Sequence, residues 1–254
     1  MHALFKPGTW LLAGLLYAMT GPAGQATTSQ PSSIEILAAA DQARGNVNGI
    51  AWEVGIETME NDRVTDNLVY DIKARGFNVA GVSMAPPKYR GNKILMLNTS
   101  MWFYKSGLSK PVPISLRQKL LGDASYGDIA STNYAEHYEA TILPDEEVDG
   151  EPCYVFDLKA KADKVTYDRI RYWVAKSRQV GVKAEYFTVS GKKFKSAAMT
   201  YDNQVSLGGK PRPFLSRITL RGELLNGAVT SLVLRNPHFE PLPDYLFDLN
   251  LFMK

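Results

Sequence analysis

Apolar and polar residues alternate along much of this chain, and that period of two restricts the fold more than any other feature. In AWEVGIETME, Trp52, Val54 and Ile56 point one way, while Glu53 and Glu57 point the other. A strand with one buried and one solvated face gives this pattern. Further strands are predicted over LVYDIKAR, CYVFDLKAK, DRIRYWVAK, RITLRGEL and AVTSLVLRN.

Short turn signals separate these strands, at Glu60-Asn61-Asp62, Asp149-Gly150, Ser190-Gly191 and Gly208-Gly209. Strands joined by short turns, without alternating helices, predict an antiparallel sheet. A large antiparallel sheet tends to curl, because strands twist and open edges are a liability. We therefore expect a mainly β (α+β) fold, with one domain over residues 27–254.

One helix is predicted ahead of the strands, in PSSIEILAAADQARGN. Ser32 and Glu35 have the spacing of a capping box, and Gly45 marks the stop. Ile34, Leu37, Ala38 and Ala40 form its expected apolar stripe. Such a helix suits a lid or plug as well as a core helix.

The N-terminus has the three-part layout of a secretory signal. Lys6 is followed by an apolar run from Trp10 to Met19 and by small residues that end at Ala26. The run is shorter than the about 20 residues of a membrane span. We expect residues 1–26 to be a cleaved signal peptide and the mature protein to be periplasmic; the alternative is an uncleaved anchor.

Charge and cysteine content narrow the possible partners. The chain of 254 residues carries 29 Lys and Arg against 26 Asp and Glu, and removal of residues 1–26 leaves a net charge of +2. No basic cluster of the kind that binds nucleic acid is present; Arg169, Arg171, Lys192, Lys193 and Lys195 are assigned to solvated strand faces. The one cysteine, Cys153, lies far from Ala26, so no lipid anchor is expected, and it is predicted to be a core residue.

Residues for catalysis or metal binding do not cluster in the sequence. His137 and His238 have no metal-ligand spacing, and GxSxG, P-loop and GxGxxG motifs are missing. Asp123 and Asp128, which flank Tyr126, could form an acid/base pair with hydrolytic activity. We favour a role as caps around a turn, because Asp is preferred there. These absences make an enzyme less expected without excluding one, and no metal site is expected.

Aromatic, aliphatic and Met side chains are plentiful enough to line a pocket. NKILMLNTSMWFYKS is apolar on both faces and is read as one strand, with Ile94, Met96, Trp102 and Tyr104 on one side. A barrel-like sheet can hold a ligand in its interior, although an ordinary filled core remains the alternative. The predicted lining residues are Trp52, Val54, Ile56, Leu68, Tyr70, Ile72, Ile94, Met96, Trp102, Ile170, Tyr172 and Val174, and the predicted lid residues are Ile34, Leu37, Ala38, Tyr126 and Ile129.

Several motifs, in order, resemble the outer-membrane lipoprotein-sorting family of bacteria, which is related to the periplasmic carrier LolA. The matches extend from about Ile34 to Phe252. They include VDGEPCYVFDLKAK, VTYDRIRYWVAK, AEYFTVSGKKFKS and LPDYLFDLNLF. In the central stretch the matching residues are Pro86, Pro87, Arg90, Gly91, Trp102, Tyr104, Arg117, Gly122, Ser125, Tyr126, Asp128 and Ile129. Gly127 replaces the family's common acid, and the loop before it has fewer Arg than usual.

The resemblance implies a half-open, strongly curved antiparallel β-barrel wrapped around a few helices, with an apolar concave surface. It implies a periplasmic carrier of lipoprotein acyl chains or free lipid that passes its cargo toward the outer membrane. The resemblance also implies that the protein is not an enzyme and has no cofactor. An inner-membrane transporter of the RND/MMPL or ABC type is the expected partner, with at most peripheral membrane contact and a monomeric state. The alternative is an accessory module of such a transporter, or of a sensor, that carries nothing.

Overall fold

The computed structural model describes His2 and residues 31–60, 63–223 and 228–252. The segment predicted as a signal peptide therefore lies outside the described residues, apart from His2. Pro31 and the residues after it belong to one compact unit. The strands are β1 (Asn48–Glu60), β2 (Arg63–Arg75), β3 (Asn78–Ala85), β4 (Lys93–Leu97), β5 (Ser100–Tyr104), β6 (Val112–Ile114), β7 (Lys119–Leu121), β8 (Ala124–Ser125), β9 (Tyr138–Val148), β10 (Glu151–Ala160), β11 (Arg169–Ala175), β12 (Val180–Phe187), β13 (Lys193–Thr200), β14 (Asn203–Leu207), β15 (Lys210–Phe214), β16 (Arg217–Gly222) and β17 (Val229–Phe239).

Thirteen of these strands form one antiparallel sheet, in the order β6-β5-β4-β3-β2-β1-β17-β16-β13-β12-β11-β10-β9. Neighbouring strands are mostly consecutive in sequence, as the short turns predict. β6 and β9 form the two edges, so the curved sheet is not closed. The predicted half-open antiparallel barrel is confirmed. β7 pairs with β8, and β14 with β15, in two separate ribbons.

The period of two places one face of each strand in a common interior. In the β1–β2 ladder Trp52 lies opposite Ile72, Val54 opposite Tyr70, and Ile56 opposite Leu68. All six side chains belong to the main buried cluster. The remaining wall strands add their own inward residues to it, so the concave face of the sheet is largely apolar.

Within the described residues, three α-helices accompany the sheet: α1 (Ser33–Gln42), α2 (Tyr134–His137) and α3 (Leu249–Phe252). α1 begins with the predicted capping box, because the Ser32 N–H donates to Glu35 Oε2 at 2.7 Å and the Glu35 N–H donates to Ser32 Oγ at 3.3 Å. Its buried face consists of Ile36, Leu37, Ala40 and Asp41. The assignment of Ile34 to the apolar face was wrong, since Ile34 is 66% exposed.

The stretch read as one strand, NKILMLNTSMWFYKS, is a hairpin. Asn98 and Thr99 form the turn between β4 and β5, and Asn98 has a φ of +53°. Leu95 lies opposite Trp102, and Met96 opposite Met101. The turn therefore puts Ile94 and Met96 in the interior but Trp102 on the outer face. There Trp102 packs, with Tyr104, on a cluster that includes Leu246 and Phe252 from the C-terminal segment.

The outer face also has a covered patch on β10–β12. Alternation in DRIRYWVAK puts Trp173 on the same face as Arg169 and Arg171, yet it is almost fully buried there, beside Cys153 and Val155. Its Nε1–H donates to Glu146 Oε2 at 2.8 Å, and Lys183 Nζ lies 4.1 Å from its ring centroid. The long Lys183 side chain covers the ring while its charge stays at the surface. Cys153 is a buried free thiol, as predicted.

Candidate functional site

The concave wall gathers the residues that the sequence predicts to line a cavity. Except for Trp102, every predicted lining residue is buried in the main cluster. In the closed structure these side chains contact the protein's own segments. The wall is therefore apolar, and a ligand could reach it only if the segments that cover it moved.

A hairpin made by residues 115–130, the plug hairpin, covers much of this wall. It contains β7, β8 and a 3-10 helix (Tyr126–Asp128), and its two arms are joined by the hydrogen bonds Gly127 N to Leu116 O at 2.9 Å and Tyr126 N to Gln118 O at 3.1 Å. Leu116, Ala124 and Ile129 are buried in the main cluster, and Tyr126 packs against it. Of the predicted lid residues, Tyr126 and Ile129 thus lie on the plug hairpin.

The tip of the plug hairpin reaches the opposite wall. Gly122 adopts a φ of +53°, and a Cβ there would lie 2.2 Å from Thr230 Oγ1, so both its conformation and its contact require glycine. The Asp123 N–H donates to Thr230 Oγ1 at 2.8 Å. The Gly222 N–H donates to Asp123 Oδ2 at 3.0 Å. Asp123 is thus used to hold the tip in place.

Asp128 and Lys195 form an ion pair inside the barrel. Lys195 Nζ lies 3.0 Å from Asp128 Oδ2, and each side chain is only 4% exposed. Asp128 Oδ2 also accepts the Ser125 N–H at 2.8 Å, which completes a capping box. The predicted cap role of Asp128 is confirmed. The assignment of Lys195 to a solvated face was wrong, because Lys195 shares the inward face of β13 with Ala197 and Met199.

Aromatic rings surround this pair. Tyr167 Oη–H donates to Asp128 Oδ1 at 2.6 Å, and the Tyr167 ring stacks on Tyr186 with centroids 3.8 Å apart. Lys195 Nζ lies 4.7 Å from the Tyr167 centroid and 5.5 Å from that of Tyr186. Burial, followed by the charge of Asp128, raises the pKa of Tyr167 well above its usual range. The phenol therefore stays protonated and remains a donor.

α1 and α2 close the interior beside the plug hairpin. Asp41 Oδ2 accepts the Ala135 N–H at 3.0 Å, and Arg44 Nη1 donates to Tyr134 Oη at 3.4 Å. Burial raises the pKa of Asp41 to about 6, although hydrogen bonds from the backbone of Ala135 and Tyr134 lower it. These contacts link the two helices through polar groups rather than through apolar packing alone. Leu37 and Ala38 belong to this closure, with Leu37 fully buried and Ala38 half-buried.

The space left inside the barrel is small. A cavity of about 20 Å³ lies among Met96, Leu116, Asp128, Tyr134 and Tyr167. This volume has room for about one water molecule. In this arrangement, called closed here, the plug hairpin lies against the wall and no acyl chain fits inside the barrel.

A larger cleft, the seam cleft, opens between the edge strand β6 and the loop of residues 161–168. Its volume is about 430 Å³, and its lining includes Met101, Ile114, Leu116 and Lys164. Leu116 lines both this cleft and the inner cavity, so its side chain separates them. Arg117 straps the seam, because its Nε–H donates to Val165 O at 2.8 Å and its Nη2 lies 2.7 Å from Asp168 Oδ1.

The sequence reasoning missed the polar part of the site. Asp41, Arg44, Tyr167 and Lys195 were assigned no site role. The pattern KFKSAAM carried a usable signal for Lys195, because it has the parity of Ala197 and Met199. No comparable local signal marks Arg44, whose burial depends on the contact of α1 with α2.

Other functional groups do not converge in the part of the chain that the structure describes. No group of three or more His, Cys, Asp and Glu residues there could hold a metal ion. His137 packs its ring on Phe77, with centroids 4.6 Å apart. Among the same residues, no helix has the length and apolar character to cross a membrane.

Comparisons with known proteins agree with this architecture. A family model described as "-like: Uncharacterized protein" matches residues 81–254. The crystal structure of a LolA superfamily protein from Nitrosomonas europaea is 30% identical, with a TM-score of 0.77, and the match covers 87% of this chain and 99% of that one. No curated protein matches the sequence.

Two further crystal structures share the fold. A domain assigned to outer membrane lipoprotein sorting, from Vibrio parahaemolyticus, is 16% identical with a TM-score of 0.72, over 87% of this chain and 98% of that one. A DUF1329 family protein from Desulfovibrio piger is 18% identical with a TM-score of 0.71, over 85% and 96%.

Fold and interior together define the class as a half-open antiparallel β-barrel whose apolar wall lies under a hairpin and short helices. Within that class, the chain belongs to the LolA superfamily, as its likeness to the Nitrosomonas europaea protein shows.

Proposed function

We propose that this protein is a soluble periplasmic carrier that shields the acyl chains of lipoproteins or lipids and passes them toward the outer membrane. It performs no catalysis and needs no cofactor. The observation that carries the proposal is the construction of the interior: a largely apolar wall covered by a hairpin and short helices instead of a second sheet. The fold shared with the lipoprotein-sorting domain supports the same reading.

Acyl burial supplies the energy to open the barrel. Each buried methylene contributes roughly 0.8 kcal/mol, so a chain of about 15 methylenes offers on the order of 10 kcal/mol. Opening exposes the apolar side chains under the plug hairpin and breaks the contacts of Asp123 and Asp128. The guest then replaces the apolar residues of the plug hairpin on the wall. The free energy needed to open the barrel with a guest present is therefore far below that needed to open it empty.

Some polar groups in the closed interior lack a hydrogen-bond partner, and this lowers the free-energy cost of opening further. Among the described residues, Arg44 Nε, Trp52 Nε1 and Tyr172 Oη are buried without a hydrogen-bond partner in the protein. A buried polar group left unpaired costs about 1–3 kcal/mol. Movement of α1 and α2 gives these atoms access to water.

The seam provides the route. A guest chain in the cleft beside Met101 and Ile114 reaches the inner wall once Leu116 moves aside. Release of Arg117 from Val165 and Asp168 frees the base of the plug hairpin. We propose that the inner-membrane transporter that supplies the cargo triggers this release.

A disulfide that locks the plug hairpin tests the proposal. Gly127 contacts Thr166 so closely that a Cβ at Gly127 would lie 3.0 Å from Thr166 Cβ, just below the 3.5–4.5 Å of a disulfide. In Gly127→Cys/Thr166→Cys, we expect the reduced protein to bind a fluorescent fatty-acid probe. The oxidised protein should bind it at least about tenfold more weakly, because the interior cannot open.

A matched control carries its disulfide outside the closure. Val205 and Arg212 are paired across the β14–β15 ribbon, and Val205→Cys/Arg212→Cys should bind the probe equally in both redox states. Equal binding by the oxidised and reduced plug variants would contradict the proposed opening. Native mass spectrometry of protein purified from its host should show bound lipid, and the mass of the mature chain tests cleavage after Ala26.

The closed interior favours a second candidate, an accessory module of an inner-membrane transporter or sensor. A barrel with a cavity of only about 20 Å³ could serve as a filled interaction domain. This candidate predicts that wild-type protein binds neither the probe nor host lipid. It also predicts that the locking disulfide leaves complex formation with the transporter unchanged.

A further inference from the structure

Lys195 is a buried cation whose oxygen acceptors all belong to the segment that must move. Its Nζ donates to Asp128 Oδ2 at 3.0 Å and to Asp123 O at 2.8 Å. Both acceptors lie on the plug hairpin, whereas Lys195 lies on β13 of the wall. Within the residues that the structure describes, no other acceptor contacts its ammonium group.

Opening of the plug hairpin therefore leaves the charge of Lys195 without an acceptor. Once Asp123 and Asp128 leave, Lys195 stays in an apolar concavity against the Tyr167 and Tyr186 rings. An unpaired charge in such surroundings is costly. An open state without a guest, or with a guest that carries no charge at this point, bears that cost.

We propose that Lys195 and Tyr167 form a binding site for the anionic head of an acyl-bearing guest, and that the Asp128 carboxylate occupies this site in the closed form. The inference rests on the proposed carrier function and deepens it, because it names the guest as an amphiphile with a carboxylate or phosphate group.

Asp128 shows how such a head group would bind. One of its oxygens accepts the Tyr167 hydroxyl at 2.6 Å and the other accepts Lys195 at 3.0 Å. Its remaining donor, the Ser125 N–H, belongs to the plug hairpin and departs with it. Tyr167, in the segment before β11, and Lys195, on β13, both lie outside the plug hairpin, and these two donors match the two oxygens of one carboxylate, or two oxygens of a phosphate.

The surroundings of the site suit an attached chain. Asp128 and Tyr167 border the inner cavity, which also touches Met96 and Leu116. Leu116 also lines the seam cleft and separates it from this cavity. A head group held at Lys195 therefore places its chain along the apolar wall, with the seam as the route in.

Two ligands with the same acyl chain, one with an anionic head and one with a neutral head that is larger by a methyl group, test the site. Palmitate and methyl palmitate are compared by displacement of a neutral fluorescent acyl probe from full-length mature protein. A charge-assisted hydrogen bond is worth about 1.5–3 kcal/mol, so wild-type protein should prefer palmitate by about tenfold or more. In Lys195→Met the preference should fall to about one, whereas ester binding is retained.

Asp128→Asn separates opening from recognition. This change weakens the closed form, so we expect both ligands to bind more tightly by a common factor while their ratio stays at the wild-type value. The double variant Asp128→Asn/Lys195→Met removes both charges together and keeps the test usable should Lys195→Met alone not fold. Palmitoyl lysophosphatidate, compared with palmitate, identifies whether phosphate or carboxylate is the better head group.

The outcomes distinguish the two proposals. Equal binding of acid and ester by wild-type protein, or a preference that survives Lys195→Met and the double variant, overturns the anion site and leaves the carrier function standing. Absence of binding by either ligand in every protein overturns the carrier function itself.

Discussion

The free-energy cost of breaking the buried pair of Asp128 and Lys195 reports how firmly the plug hairpin is held against the wall in solution. In Asp128→Ala, Lys195 keeps only the main-chain oxygen of Asp123, and the Tyr167 hydroxyl loses its acceptor. Removing one partner of a buried ion pair costs about 3–5 kcal/mol, because the other charge stays buried. For a chain of this length, each kcal/mol lowers Tm by about 2–4 °C, so we expect a decrease on the order of 10 °C.

The assay is urea unfolding followed by circular dichroism, with thermal unfolding alongside. Asp157→Ala is the matched control, since Asp157 also accepts two hydrogen bonds from a cation, at 2.7 and 2.8 Å from Arg169, but at the surface. An exposed pair contributes about 0–1 kcal/mol. Lys195→Met should recover most of the loss in the Asp128→Ala background, which would give a large coupling energy.

A cost below about 1 kcal/mol for Asp128→Ala, equal to that of Asp157→Ala, would refute this reasoning. It would mean that the pair is solvated and that the plug hairpin spends much of its time away from the wall. Additive effects of Asp128→Ala and Lys195→Met would lead to the same conclusion.

Two further predictions concern the closure. Asp41 has an ordinary pKa of 3.8 and a pKa of about 6 in the folded protein. Between these pH values the folded protein holds a proton that the unfolded chain releases. The free energy of unfolding should therefore fall by roughly 3 kcal/mol as pH rises from about 4 to 6. Urea titrations of Asp41→Asn should lack this contribution. In Gly127→Ala the new Cβ would lie 2.1 Å from Thr166 Oγ1, which should cost about 1–3 kcal/mol in the same titrations.

Each of these has a direct control. For Asp41, wild type and Asp41→Asn are compared over the same pH range, and an identical slope in the two proteins would show that Asp41 is solvated. Thr166→Ala should recover part of the cost of Gly127→Ala, because it removes the Oγ1 and Cγ2 atoms that the new Cβ meets. Unchanged stability of Gly127→Ala would contradict the close packing of the plug hairpin on residues 163–168.

Much of the sheet could be predicted from local patterns. Alternation in β1 and β2 identified Trp52, Val54, Leu68 and Tyr70 as one inward face, because side chains on a strand point to opposite sides in turn. The capping box of α1 was equally readable, since Ser32 and Glu35 are three residues apart. These features depend only on neighbours along the chain.

Face assignments failed where a turn was not recognised. Asn98 and Thr99 reverse the chain between β4 and β5, and this sends Trp102 to the outer face although it has the parity of Ile94 and Met96. Residues that pair across a hairpin share a face, and Trp102 pairs with Leu95 rather than with Ile94 or Met96. The sequence has no Gly or Pro that would mark this two-residue turn.

The sequence alone thus determined most of the long strands, helix α1 and which of their residues are apolar. Only the tertiary structure decided that Lys195 is buried, that Asp128 is its partner and that the plug hairpin fills the interior. Residues 128 and 195 are far apart in sequence, and their contact exists because the plug hairpin folds back over β13. Alternation separates the two faces of a strand, but what covers each face is set by segments that approach from elsewhere in the chain.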